Sequence, residues 1–147
     1  MTVRLAVIGP GGIARSRLMP ALARSGEASL WSVLSRDRGR AEEAARAFGA
    51  ASPEPAHDSL ETLLADPDLD GVIIATPDAL HAPMAVAAAR AGKHVLVEKP
   101  MALSLEEVDA MIAACEKNGL RLGVAYHLRW HAALRALHRQ AQEGGFG

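Results

Sequence analysis

Gly9-Pro10-Gly11-Gly12-Ile13-Ala14 has the spacing G-x-G-x-x-A, which suits the capture of a pyrophosphate on backbone amides. Each residue type has a physical reason. Gly9 permits a tight turn. Gly11 lacks the Cβ that would hold an anion off the backbone. Ala14 is small enough for a helix to pack closely on a strand. Free N–H groups at a helix start, aligned with its dipole, attract negative charge. The spacing alone is a weak signal, because the same glycines make an ordinary strand-to-helix turn. Its context is stronger: it follows a short apolar run, Val3 to Gly9, and precedes a helical stretch from Ile13.

Two further clusters fall where strand-like runs end. Ser35-Arg36-Asp37-Arg38 follows the second run, at the place where an acidic residue holds the ribose 2′-hydroxyl of NAD or an arginine accepts the 2′-phosphate of NADP. Ser35 stands where the acid is expected and Arg36 follows, which favours NADP as cofactor. Asp37 keeps NAD open, and Arg36 and Arg38 read equally as solvated turn residues. Glu98-Lys99-Pro100 follows a later buried run. A lysine desolvated there is suited to donate to a substrate oxygen and to join proton transfer. The alternative is an exposed charged pair at a strand end.

These clusters need a scaffold of alternating strands and helices. Apolar runs at Val3–Gly9, Leu30–Leu34, Gly71–Ala75, His94–Val97 and Arg121–Ala125 read as strands. Pro53 and Pro55 confine any strand between Ala50 and His57 to a short or edge position. Helical stretches are expected from Ile13 to Ser25, Arg38 to Phe48, His81 to Ala91, Ser104 to Asn118 and Trp130 to Gln142, with a short one from Asp58 to Ala65. Gly26, Gly49, Gly92 and Gly119 stand at their C-terminal ends, and Asp58 with Glu61 and Ser104 with Glu107 have capping-box spacing. The residues from Gly144 to Gly147 trail off. Strand and helix alternate with short connections, which predicts an α/β fold: a doubly wound parallel sheet with helices on both faces.

Composition narrows the function classes. The chain has 147 residues, 16 Lys+Arg against 17 Asp+Glu, and a formal net charge of −1. That balance argues against nucleic acid and against a polybasic membrane surface. No apolar run has transmembrane length and no signal peptide opens the chain, so a cytoplasmic protein is expected. Cys115 shares a helical stripe with Val108, Met111 and Ile112 and reads as a buried structural thiol. His127, His131 and His138 would share one helical face, but Leu128 replaces the glutamate of a metallopeptidase motif, and no metal is expected. Trp130, Leu134, Leu137 and Ala141 form an apolar stripe, expected to pack on the chain's own sheet and otherwise to drive self-association.

Together the motifs resemble the glucose–fructose oxidoreductase, inositol dehydrogenase and rhizopine-catabolism family (Gfo/Idh/MocA). The matching segments are Val7 to Ala14, Asp66 to Pro77, His81, and Ala91-Gly92-Lys93-His94-Val95-Leu96-Val97-Glu98-Lys99-Pro100, in order along nearly the whole chain. The resemblance implies a Rossmann-type dinucleotide domain over 1–126, with 127–147 beginning a second domain. It implies Gly9, Gly11, Gly12 and Ile13 at the pyrophosphate, and Ser35 and Arg36 at the adenosine ribose. It also implies Thr76, Pro77 and His81 along the cofactor, and Glu98 and Lys99 near the nicotinamide, with Lys99 on the substrate oxygen. The implied reaction is hydride exchange between NADP or NAD and a carbinol carbon of a sugar, cyclitol or related polyol. Family members are more than twice as long, and their second domain supplies substrate-positioning groups. The chain as given is therefore expected to bind cofactor with little turnover. The competing readings are a noncatalytic dinucleotide-binding or redox-sensing module, and a methyltransferase-like domain, against which Glu98-Lys99-Pro100 argues.

Overall fold

The computed structural model describes residues 2–146; Met1 and Gly147, the last residue of the expected tail, lie outside the described residues. Six strands form one sheet: β1 (Val3–Ile8), β2 (Ala28–Leu34), β3 (Ala56–His57), β4 (Gly71–Ile74), β5 (His94–Val97) and β6 (Leu122–Val124). Every pairing is parallel and the order is β3-β2-β1-β4-β5-β6. The chain first adds strands on one side of β1, then returns to add β4 on the other. The two halves therefore diverge between β1 and β4, which is where a doubly wound sheet opens a crevice at its carboxyl edge.

Alternation along the central strands explains why helices cover both faces. On β1, Ala6 and Ile8 enter one core and Val7 enters the other. On β4, Val72 and Ile74 share the first core and Ile73 the second. The first face is covered by α3 (Leu60–Leu64), α4 (His81–Arg90) and α5 (Leu105–Lys117), through Leu63, Ala85, Ala88, Met111 and Cys115. The second is covered by a π-helical turn, Ala14–Leu18, its continuation α1 (Met19–Arg24), and α2 (Arg38–Phe48), through Met19, Leu22, Ala41 and Ala44. Alanine dominates both helix layers, which lets helices sit close to the strands. Cys115 is buried as expected, and that burial pushes its thiol up.

Several local expectations are corrected. Gly26 is not a left-handed cap; Ser25 ends α1 in extended backbone, and its Oγ accepts from the amides of Glu27 and Ala28. Ser59, not Asp58, caps α3, accepting from the Thr62 amide at 3.4 Å. Gly49, Gly92 and Gly119 do have positive φ where helices end. At α5 half of the Ser104–Glu107 box forms: Ser104 Oγ accepts from the Glu107 amide at 3.2 Å, while the Glu107 carboxylate accepts from the amide of Leu103, one residue before the cap.

The largest correction concerns the last helix. After a 3₁₀ turn, His127–Trp130, α6 (Ala132–Gln142) buries none of its residues. Trp130 is 78% exposed, and Leu134 and Leu137 are also exposed, so the stripe does not pack on the chain's own sheet. His127 stands outside α6, so one helix does not carry all three histidines.

Candidate cofactor site

Because all strands run the same way, the loops after β1, β2, β4 and β5 emerge at one edge. Backbone bonds knit them there. Gly9 N–H donates to Leu34 O, Ala75 N–H to Ile8 O, and Glu98 N–H to Ile74 O, each at 2.9 Å. The sequence-predicted residues thus converge on the carboxyl edge, around the divergence between β1 and β4.

Gly9 has φ +88°, a conformation that favours glycine. A Cβ there would lie 2.7 Å from Ala75 O and 3.0 Å from Thr76 Cγ2, so the first glycine is required by the approach of the β4 exit. Gly11 and Gly12 are different: an added Cβ would meet nothing within 4 Å. They face open space, as a backbone cradle for an anion must. Gly11 N–H donates to Gly9 O at 2.8 Å and Gly11 O accepts from Arg15 N–H at 3.0 Å. The helix therefore begins after Gly11, and the amides of Gly12, Ile13 and Ala14 precede its first repeating bond. These residues fit a pyrophosphate. Ile13 is exposed beside the cradle and Ala14 is buried beneath it.

Arg15 is a brace that motif reasoning missed. Its Nε donates to Pro10 O at 3.2 Å, and its guanidinium forms a two-pronged pair with Glu43 of α2. That hydrogen bond holds the Glu43 carboxyl below its ordinary range. The contact joins residues 28 apart, so no local pattern announces it.

At the end of β2, Ser35 is half-buried and its Oγ accepts from the Asp37 amide at 3.3 Å. Asp37 caps α2: its carboxylate accepts from the Arg40 amide at 3.2 Å. The acid that kept NAD open is thus engaged in ending the loop. Arg38 pairs with Glu42 and Glu54, whereas among the described residues the exposed Arg36 forms no ion pair. The D-x-x cap spacing before an Ala-rich helix was the signal available for Asp37.

Thr76 is half-buried and Pro77 exposed. Thr76 Oγ1 is buried without a hydrogen-bond partner among the described residues. His81, the first residue of α4, is only 1% exposed, and its ring nitrogens lie 2.7 Å from Pro100 O and 3.0 Å from Thr76 O. It lies beneath the edge, between the two exit loops, and does not line an open surface. Glu98 is half-buried and accepts from the Lys99 amide at 3.2 Å; Lys99 is exposed, and the Lys99–Pro100 bond is cis. The desolvation that the sequence suggested for Lys99 is therefore absent from this structure. A groove of about 700 Å³ is lined by Leu128, Arg129 and residues of α6 from Ala132 to Gln142, and no glycine-loop residue lines it.

Comparison with known proteins identifies this architecture. Residues 3–126 match the sequence profile of the Gfo/Idh/MocA oxidoreductases, described as an oxidoreductase family with an NAD-binding Rossmann fold. The 1,5-anhydro-D-fructose reductase of Ensifer adhaerens is 39% identical over 145 residues, covering 98% of this chain and 42% of the relative. The dTDP-3,4-didehydro-2,6-dideoxy-alpha-D-glucose 3-reductase of Streptomyces violaceoruber is 36% identical, covering 99% of this chain and 41% of that enzyme. Among solved structures, a 3-ketoreductase from Actinomadura kijaniata in complex with TDP-benzene and NADP superposes with a TM-score of 0.91 at 32% identity. It matches 100% of this chain, which covers 45% of it. The chain spans less than half the length of these relatives. It belongs to the Gfo/Idh/MocA oxidoreductase family, and residues 3–126 are its NAD-binding Rossmann region.

Proposed function

We propose that the chain is the cofactor-binding part of an oxidoreductase that moves a hydride between a nicotinamide and a carbinol or carbonyl carbon of a sugar, cyclitol or related polyol. The observation that carries the reading is the glycine loop: Gly9 abuts the β4 exit, while Gly11 and Gly12 face open space at the divergence of β1 and β4. The cofactor, when bound, supplies the hydride chemistry. The amides of Gly12, Ile13 and Ala14 hold the pyrophosphate. Ser35 and Arg36 meet the adenosine ribose, and NADP is preferred over NAD, because Arg36 forms no ion pair among the described residues while Asp37 caps its own helix. Thr76 and Pro77 lie along the cofactor, with Glu98 beside the nicotinamide. Lys99 donates to the substrate oxygen.

Two haloarchaeal relatives are named as NADP(+)-dependent D-xylose 1-dehydrogenases, which supports the sugar class and the cofactor preference. Since hydride transfer needs a positioned substrate and the chain spans so little of its relatives, these 147 residues turn over little alone. Backbone amide shifts recorded during NADPH addition test the site. The expected changes cluster at 9–14, 35–36, 76–77 and 98–99. Changes confined to α5 and α6 would overturn the assignment.

A further inference from the structure

His81 is a buried polar side chain that the hydride chemistry does not use. Its position links two loops that approach from different strands. Thr76 ends the β4 exit and immediately precedes Pro77; Pro100 ends the β5 exit and immediately follows Lys99. The His81 ring stands between their carbonyls, at 3.0 Å from Thr76 O and 2.7 Å from Pro100 O. Carbonyl oxygens only accept, so the ring must donate. Both nitrogens stand at hydrogen-bond distance, so bridging the two carbonyls takes an N–H on each ring nitrogen. The His81 ring is buried at 1% exposure, while Thr76 is half-buried and Pro100 is exposed. Thr76 Oγ1 has no partner among the described residues, so the polar tie between Thr76 and His81 runs through the Thr76 carbonyl.

We propose that His81 is a positioning residue that sets the spacing between Pro77 and Lys99, and so the width of the nicotinamide end of the site. The reading rests on the cofactor assignment above. It goes beyond that assignment in giving His81 no contact with cofactor or substrate: it acts through two backbone carbonyls. His81 is the first residue of α4, whose Ala85, Ala88 and Ala89 are fully buried in the core that the helix shares with the sheet.

The first test needs no ligand. Amide hydrogen exchange is compared among the wild type, His81→Leu and His81→Gln. Losing a net hydrogen bond corresponds to about a three- to tenfold increase in local opening. His81→Leu is expected to speed exchange by that factor in both 76–80 and 99–102, while 11–14 stays unchanged. His81→Gln, which keeps an amide donor, is expected to fall between. Met111→Ala, a buried change in α5, controls for general destabilisation and should not single out the two loops. Faster exchange in only one loop, or in neither, would overturn the clamp.

The second test compares NADPH with 2′-phospho-ADP-ribose, which lacks the nicotinamide. His81→Leu should weaken NADPH about three- to tenfold and leave 2′-phospho-ADP-ribose unchanged. Equal weakening of both would mean a merely structural role and contradict the proposal. If the wild type binds neither compound, the cofactor assignment fails, and the exchange experiment still decides whether the clamp exists.

Discussion

At the scale of single residues, Gly9 and Arg36 carry the sharpest consequences. Gly9→Ala must place a Cβ 2.7 Å from a backbone oxygen while holding φ at +88°. Strained backbone of this kind costs about 1–3 kcal/mol, so urea melts should show a loss of that order, and NADPH binding should weaken as the loop shifts. Arg36→Ala should reduce the preference for NADPH over NADH about tenfold, the scale of one lost charge-assisted contact; affinities for both cofactors measured side by side provide the check. The glycine spacing was legible because local backbone geometry imposes it. The role of Asp37 was only half legible: one carboxylate can cap a helix or hold a ribose, and in the structure it caps α2, 3.2 Å from the Arg40 amide. His81 and Arg15 were illegible in their roles, because each acts on a loop that the fold, not the sequence neighbourhood, brings near.

Elements show a division of labour between the two edges of the sheet. The carboxyl edge holds the candidate site, and the amino edge holds a polar clasp. Arg4 bonds to Asp68 and Asp70, and lies 5.3 Å over the Trp31 ring, whose Nε1 donates to Asp66 at 2.7 Å. Buried Lys93 donates to the carbonyls of Asp66 and Leu69, so part of the Ala-Gly-Lys-His-Val segment that signals the family serves structure. The Arg4 hydrogen bond holds the Asp70 carboxyl below its ordinary range. At Asp66 desolvation pushes the other way, but the bonds from Trp31 and the Asp68 amide prevail. Both carboxyls are lower in the folded chain than in the unfolded one. Their stabilisation is therefore complete above the unfolded value, near pH 4, and is lost as pH falls through the folded one. Urea midpoints should drop between pH 5 and pH 3, estimates set by that carboxylate range. Asp70→Asn should flatten the drop; an unchanged slope would remove the clasp from the account. Helices α2, α4 and α5 were readable from apolar periodicity and from glycines past their ends. The one-residue slip at Ser59 arose because two neighbouring residues are both good caps.

Over the whole molecule, the parallel sheet with helices on both faces followed from alternating strands and helices, and from central strands apolar on both faces, whereas the strand order is seen only in the structure. The two cores that meet at β1 and β4 make the sheet the rigid base of the site. Met111 is fully buried in one of them. Met111→Ala is expected to cost about 2–5 kcal/mol in urea unfolding, with any loss of NADPH affinity following from unfolding alone. The fate of α6 could not be read from its stripe: an amphipathic pattern states that a face is apolar, not what covers it. With Trp130, Leu134 and Leu137 exposed, the chain is expected to self-associate at high concentration. Sedimentation of a Trp130→Ser, Leu134→Ser, Leu137→Ser variant should then report a smaller species, and unchanged association would place the contact elsewhere. The most direct measurement is a fluorescence titration of the purified chain with NADPH and, separately, NADH, with far-UV circular dichroism on the same sample. The account predicts a folded chain that binds both saturably, NADPH more tightly. A folded chain that binds neither would contradict it and reduce the glycine loop to a turn.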